Sequence, residues 1–179
     1  MNSGKNFWMS EVDNGNLAGT NAKNMGAGLS LAVNILEDMN SMQPSAWVMW
    51  DILDKHKDAE FVAPNGTNSE ANTSNAQHIG TWGVGMVNHD TKEIELTQKY
   101  YVYGQFTKYI NPGDTIIASS PTTLAAYNKD TGAIKIVAVN TTGDTQNYRF
   151  DLSAFSQTGQ AQKLYAQAVH LQTENIGKM

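Results

Sequence analysis

From Ala46 to Trp50 the chain reads Ala-Trp-Val-Met-Trp, with no polar side chain among them. A run of this length suits a strand, and an unbroken apolar run suits a strand covered on both faces, as in a parallel sheet. Ser45 to Leu53 is the predicted strand. Parallel neighbours need a crossover, and the preceding sequence supplies one. From about Ala22 to Met39, residues Met25, Leu29, Ala32, Val33, Leu36 and Met39 recur at helical spacing and mark one buried stripe. Before it, Lys5 to Val12 is predicted as the first strand, and Asp13-Asn14-Gly15-Asn16 turns the chain out of it. The order is therefore strand, helix, strand.

The first strand ends in an acid. Strict alternation along Phe7-Trp8-Met9-Ser10-Glu11-Val12 sends Phe7, Met9 and Glu11 to one face and Trp8, Ser10 and Val12 to the other. A carboxylate closing the inward row of a parallel strand sits where (β/α) barrels keep their chemistry. Glu11 is the candidate catalytic residue on this ground.

Residues 54 to 80 are rich in Asn, Ser, Gly and Thr without a period, and loops this long are usually functional or disordered. Trp82 to Glu95 has the pattern of a short hairpin turning at Asn88-His89-Asp90. Thr97 is placed to N-cap a helix that carries Tyr100, Tyr103, Phe106 and Ile110 inward, with Tyr109 also assigned to the core. Asn111-Pro112-Gly113 stops that helix. After Asp114 the pattern becomes alternating. Strands are predicted at Ile116 to Ser119, Thr123 to Tyr127, Ile134 to Asn140, Gln146 to Leu152 and Lys163 to Gln172, in the manner of an antiparallel sandwich.

Composition narrows the function classes. The net charge is −5 and Arg149 is the single arginine, which argues against a protein that tracks nucleic-acid phosphates. No run of about twenty apolar residues is present, so no membrane span is expected. Cysteine is absent, excluding disulfides, thiolate metal sites and cysteine nucleophiles together. His56, His78, His89 and His170 lack metal-ligand spacing. Neither a metal nor another cofactor is expected. Ser10 lacks the flanking glycines of a nucleophile elbow.

Several separated segments agree with one family. Phe7-Trp8-Met9-Ser10-Glu11-Val12, Gly28-Leu29-Ser30-Leu31-Ala32, Ser45-Ala46-Trp47-Val48-Met49-Trp50, Trp82-Gly83-Val84-Gly85-Met86-Val87 and the run from Lys99 to Gly113 resemble glycoside hydrolase family 30, in wording nearest its endo-β-1,6-galactanase branch. The resemblance implies an α/β plus β chain: the last two βα units of a (β/α)8 TIM barrel over 1–113, then a partial antiparallel β-sandwich over 114–179. It implies a retaining endo-acting glycosidase with a polysaccharide or oligosaccharide substrate, and a secreted or cell-surface parent enzyme. The opening Met1-Asn2-Ser3-Gly4-Lys5-Asn6 has no signal-peptide core of its own.

By the same resemblance Glu11 is the nucleophile at the end of the seventh strand. Trp50 is the aromatic wall of the sugar subsite beside the scissile bond, and alternation assigns Trp47 to the opposite, core-facing side. A retaining glycosidase needs a second carboxylate about 5–5.5 Å from the first. In this clan of barrels it is a Glu following an Asn, and no Asn-Glu pair occurs in the 179 residues. The expectation is a C-terminal portion of a larger enzyme, inactive alone, whose exposed strand edges invite self-association. The alternatives are a non-catalytic carbohydrate-binding or structural β-sandwich module, and a xylanase or β-1,6-glucanase of the same family.

Overall fold

The computed structural model describes residues 6–12, 25–55, 83–87 and 92–155. It divides into two compact units, Met1–Thr141 and Thr142–Met179. The boundary expected at residue 113 differs from this division, because the strands that follow Asp114 share a core with the helices before it.

The first unit opens with strand β1 (Trp8–Val12), helix α1 (Met25–Ser41) and strand β2 (Ala46–Met49), and β1 pairs with β2 in parallel. α1 buries Met25, Ala27, Gly28, Leu31, Ala32, Ile35 and Leu36. The buried stripe is therefore turned relative to the predicted one: Leu31 and Ile35 enter the core, while Leu29, Val33 and Met39 are half-buried. The turning follows from the second helix. Gly28 faces it so closely that a Cβ there would lie 2.7 Å from Val102 Cγ2 and 3.2 Å from the Gln98 carbonyl oxygen. A helix wrapped from several sides buries a broader arc than one periodic stripe describes.

The predicted second strand is interrupted. After β2 the Trp50–Asp51 peptide is cis, and the chain resumes as β3 (Leu53–Lys55). β3 lies parallel to β4 (Gly85–Val87), which pairs in antiparallel fashion with β5 (Ile94–Leu96). The expected hairpin is thus present, its turn at 88–90 lying outside the described residues. The long loop likewise lies outside them from residue 56.

Helix α2 spans Gln98–Tyr109. Thr97 holds the N-cap position in extended conformation, but its side chain makes no cap bond. Its hydroxyl instead donates to the Val84 carbonyl at 2.8 Å, fastening the helix start to β4. Phe106 is buried, Tyr103 and Ile110 pack against the core, and Tyr109 is half-buried. Tyr100, expected inside, is exposed and lies edge-on to Tyr101. Lys99 occupies the inward slot instead and is fully buried. Spacing explains the exchange, since 99, 103, 106 and 110 fall on one face at intervals of three and four.

Strands β6 (Thr115–Ile117), β7 (Thr123–Tyr127) and β8 (Ile134–Ala138) make an antiparallel sheet with β7 in the middle. Leu124, Val137 and Val139 join Leu31, Ile35, Leu36, Met49, Val84 and Phe106 in one hydrophobic cluster. At the far edge of this core Asn40 of α1 donates to the Thr123 carbonyl at 3.0 Å and accepts from the Ser119 hydroxyl at 3.0 Å. The turn into β8 is built by Asn128, whose Oδ1 accepts the backbone N–H groups of Asp130 and Thr131 at 3.1 and 3.0 Å. Gly132 adopts φ +72°, a conformation that favours glycine.

In the second unit residues 146–152 form no strand, contrary to the alternating pattern. Tyr148 and Phe150 instead stack on each other, ring planes 7° apart. The strand predicted at Lys163 to Gln172 lies outside the described residues.

Candidate active site on the open face of the parallel pair

The pairing of β1 with β2 decides where Glu11 points. Trp8 lies opposite Ala46 and Met9 opposite Trp47, yet Val12 lies opposite Met49. Three steps along β1 therefore match two along β2, so β1 carries one extra residue between Met9 and Val12. Paired residues of a ladder share a face, and an extra residue interrupts alternation. Met9 and Val12 consequently join Trp47 and Met49 on one face, and all four are at least half-buried. Ser10 and Glu11 both fall on the opposite face, with Trp8, Val48 and Trp50, and all five are exposed.

This corrects the facing expected from strict alternation, which grouped Glu11 with Met9 and set Trp8 beside Val12. It also corrects the expectation that β2 is covered on both sides, because Val48 and Trp50 are 42% and 53% exposed. No glycine or asparagine at Ser10-Glu11 announces the extra residue, so the linear pattern contained no signal for it. The inclusion of Trp8 and Val48 on the acid's face was missed for the same reason.

Backbone hydrogen bonds hold both ends of the pair. Ser45 donates its N–H and its hydroxyl to the Phe7 carbonyl, at 2.9 and 3.0 Å. At the other end Trp50 N–H donates to the Val12 carbonyl at 2.9 Å. Trp50 is therefore tied to the residue immediately after Glu11. The covered face is fixed by Trp47, whose indole N–H donates to Asp38 Oδ2 at 2.8 Å and whose ring lies 6.0 Å from that of Tyr103. Trp47 thus packs against the helices, as alternation along β2 expects.

The arrangement brings together one solvent-facing carboxylate and exposed indole surface on a paired, anchored backbone. A carboxylate can act as nucleophile, base or electrostatic stabiliser. An indole face covers apolar C–H groups with a rigid surface that loses little entropy. Of the remaining acids, Glu37 is exposed on α1 and Glu93 and Glu95 flank or lie in β5, while Glu60, Glu70 and Glu174 lie outside the described residues. All four histidines also lie outside them. Among the described residues no group of three His, Cys, Asp or Glu side chains could hold a metal ion, and no helix is long and apolar enough to cross a membrane.

An ion pair lies elsewhere, at the foot of the antiparallel sheet. The Asp114 side chain is inaccessible to solvent and pairs with Lys135 Nζ at 2.6 Å. It also accepts from the Asn111 N–H at 2.8 Å and from Asn128 Nδ2 at 2.9 Å. Burial pushes its carboxyl up, but the Lys135, Asn111 and Asn128 hydrogen bonds together with the lysine charge hold it below the ordinary value. This is a structural staple between the end of α2 and the sheet.

Comparison with known proteins finds a distant similarity for this chain. It is 25% identical over 159 residues to the endo-β-1,6-galactanase of Hypocrea rufa, a match covering 88% of this chain and 26% of that protein. The chain thus spans about a quarter of the length of the curated relative it matches. No family model matches the chain.

Proposed function

We propose that the chain is part of a retaining endo-β-glycosidase, with Glu11 as its nucleophile and Trp50 as a sugar platform, acting on β-1,6-linked galactan. The observation that carries this reading is the shared open face of Glu11 and Trp50, joined through the Val12–Trp50 hydrogen bond. The similarity to a galactanase supports the choice of substrate. The βα units of the first unit are, in this reading, the last two of a (β/α)8 barrel. Their catalytic acid belongs to sequence outside the 179 residues, so the chain by itself does not turn over. Retention requires two carboxylates in different environments, one ionised to attack the anomeric carbon and one protonated to release the leaving oxygen.

A chimera tests it. The chain is substituted for the matched segment of the Hypocrea rufa enzyme, and hydrolysis of β-1,6-galactan is followed. Activity is expected, and Glu11→Gln should lower kcat by at least a thousandfold with the fold retained. An active chimera indifferent to Glu11→Gln would remove Glu11 from the mechanism.

One observation favours a second reading, a carbohydrate-binding β module. Tyr148 and Phe150 stack on each other with 38% and 44% of their surfaces exposed. In that reading retention of the chain on immobilised galactan survives Glu11→Gln and is lost when both rings are replaced by alanine.

A further inference from the structure

Between Met9 and Val12, β1 has two residues, Ser10 and Glu11, where β2 has only Val48. Bulges are rare between parallel strands, and each leaves its ladder locally disrupted. Here the pairing cannot slip to absorb the extra residue. The Ser45–Phe7 and Trp50–Val12 backbone bonds hold the two ends, each at 2.9 Å. The covered side gains nothing from the arrangement. With Ser10 removed, Trp8-Met9-Glu11-Val12 alternates regularly, so Met9 and Val12 keep the covered face and Glu11 keeps the face of Trp8. What Ser10 changes lies on the open face alone. It displaces Glu11 along the strand and turns its carboxylate, since a bulge bends its strand and sharpens the local twist.

We propose that the extra residue at Ser10 is the aiming device of Glu11, dispensable to the fold and required for catalysis. The inference rests on the glycosidase reading and deepens it: Ser10 is a positioning residue that acts through the backbone and not through its hydroxyl. Distance is the reason. A retaining pair of carboxylates works about 5–5.5 Å apart, against roughly 6.5–9.5 Å in an inverting pair. One residue of parallel strand advances about 3.3 Å, so a fraction of that step decides whether the carboxylate reaches the anomeric carbon. A misplacement of about 1 Å costs roughly a hundredfold in rate. Bulges beside active sites re-aim a side chain in this way. Trp8, Val48 and Trp50, which share the face, carry no carboxylate to replace a misplaced Glu11.

The galactanase chimera carries the test, with the dinitrophenyl glycoside of β-1,6-galactobiose as substrate. Deletion of Ser10 should lower kcat by about a hundredfold or more, with KM within about fivefold and far-UV circular dichroism unchanged. Ser10→Ala, which keeps the number of residues, should cost no more than about fivefold. Azide separates aim from integrity. In Glu11→Gly, azide from solution attacks the anomeric carbon while the bond to the leaving oxygen breaks, and dinitrophenolate departs with the electron pair to leave a glycosyl azide. Strand β1 does not aim azide, so Glu11→Gly with and without Ser10 should be rescued to within about threefold of each other. A deletion that keeps kcat within about tenfold of the parent chimera overturns the proposal. So does one that fails to fold or abolishes the azide rescue, because the extra residue is then structural. An equal loss in Ser10→Ala also overturns it, assigning the effect to the hydroxyl. A parent chimera that is inactive, or indifferent to Glu11→Gln, removes the glycosidase reading instead and the aiming role with it.

Discussion

The backbone N–H of Trp50 donates to the carbonyl of Val12 at 2.9 Å, joining the end of β2 to the residue that follows Glu11. The bond couples the two side chains of the open face through main chain rather than through contact of their own. Neither side chain then contributes much to holding the fold, which separates their functional worth from their structural worth.

That separation can be measured on two adjacent residues. Met49 faces the helices and is 8% exposed, whereas Trp50 faces solvent. Met49→Ala should cost about 2–5 kcal/mol in urea unfolding, and Trp50→Ala and Glu11→Gln each less than about 1 kcal/mol. Equal losses at positions 49 and 50 would contradict the assignment of faces.

At Gly28 the helices approach too closely for a side chain. Gly28→Ala gains ~1 kcal/mol of helix propensity, but its methyl must displace Val102 Cγ2 and press on the Gln98 carbonyl. The net expectation is a loss of about 1–3 kcal/mol. Val102→Ala in the same chain should recover part of it, because the two sites touch. Thermal denaturation of the single and double variants reads the coupling.

The indole N–H of Trp47 has a specific partner in Asp38. Trp47→Phe keeps much of the ring packing against Tyr103 and leaves this bond unmade, so a loss of about 1 kcal/mol is expected. Asp38→Asn retains an oxygen acceptor and should lie closer to the parent protein than Asp38→Ala. Chemical denaturation of the three variants gives the order.

Asp114 predicts a dependence on pH. Its folded carboxyl titrates below the ordinary value of 3.8, so the folded state binds its proton less readily than the unfolded chain. The resulting stability is complete above that ordinary value and is lost as pH falls through the lower, folded one. Asp114→Asn should therefore flatten the stability profile below about pH 4. At neutral pH it should cost about 1–3 kcal/mol, since Lys135 and the Asn111 N–H lose a charged acceptor.

Much of the element order was legible in the chain. β7 begins and ends where its alternation predicts, because Thr123 to Tyr127 is bounded by strong turn residues on both sides. α1 was also legible as an element, but its buried arc was not, since Gly28 contributes by lacking a side chain. Lys99 escaped notice because a pattern of apolar residues does not count a lysine as inward. The identity of Glu11 and Trp50 as candidates came from the sequence. Their common face depends on one extra residue in β1, a feature of pairing between strands that no single strand encodes. Strand 146–152 failed for the converse reason, since alternation alone does not provide a neighbour to pair with.

Leu124 and Val137 of the antiparallel sheet pack in the same cluster as Leu36 and Phe106 of the two helices. The sheet is consequently no interchangeable appendage. A cut or insertion at the Asn111-Pro112-Gly113 turn would leave the helices with a raw apolar wound, while a graft made after Thr141 would leave the core whole. Exchange of parts between chains of this kind is thus permitted at the second seam and penalised at the first, although the first is where composition changes most visibly.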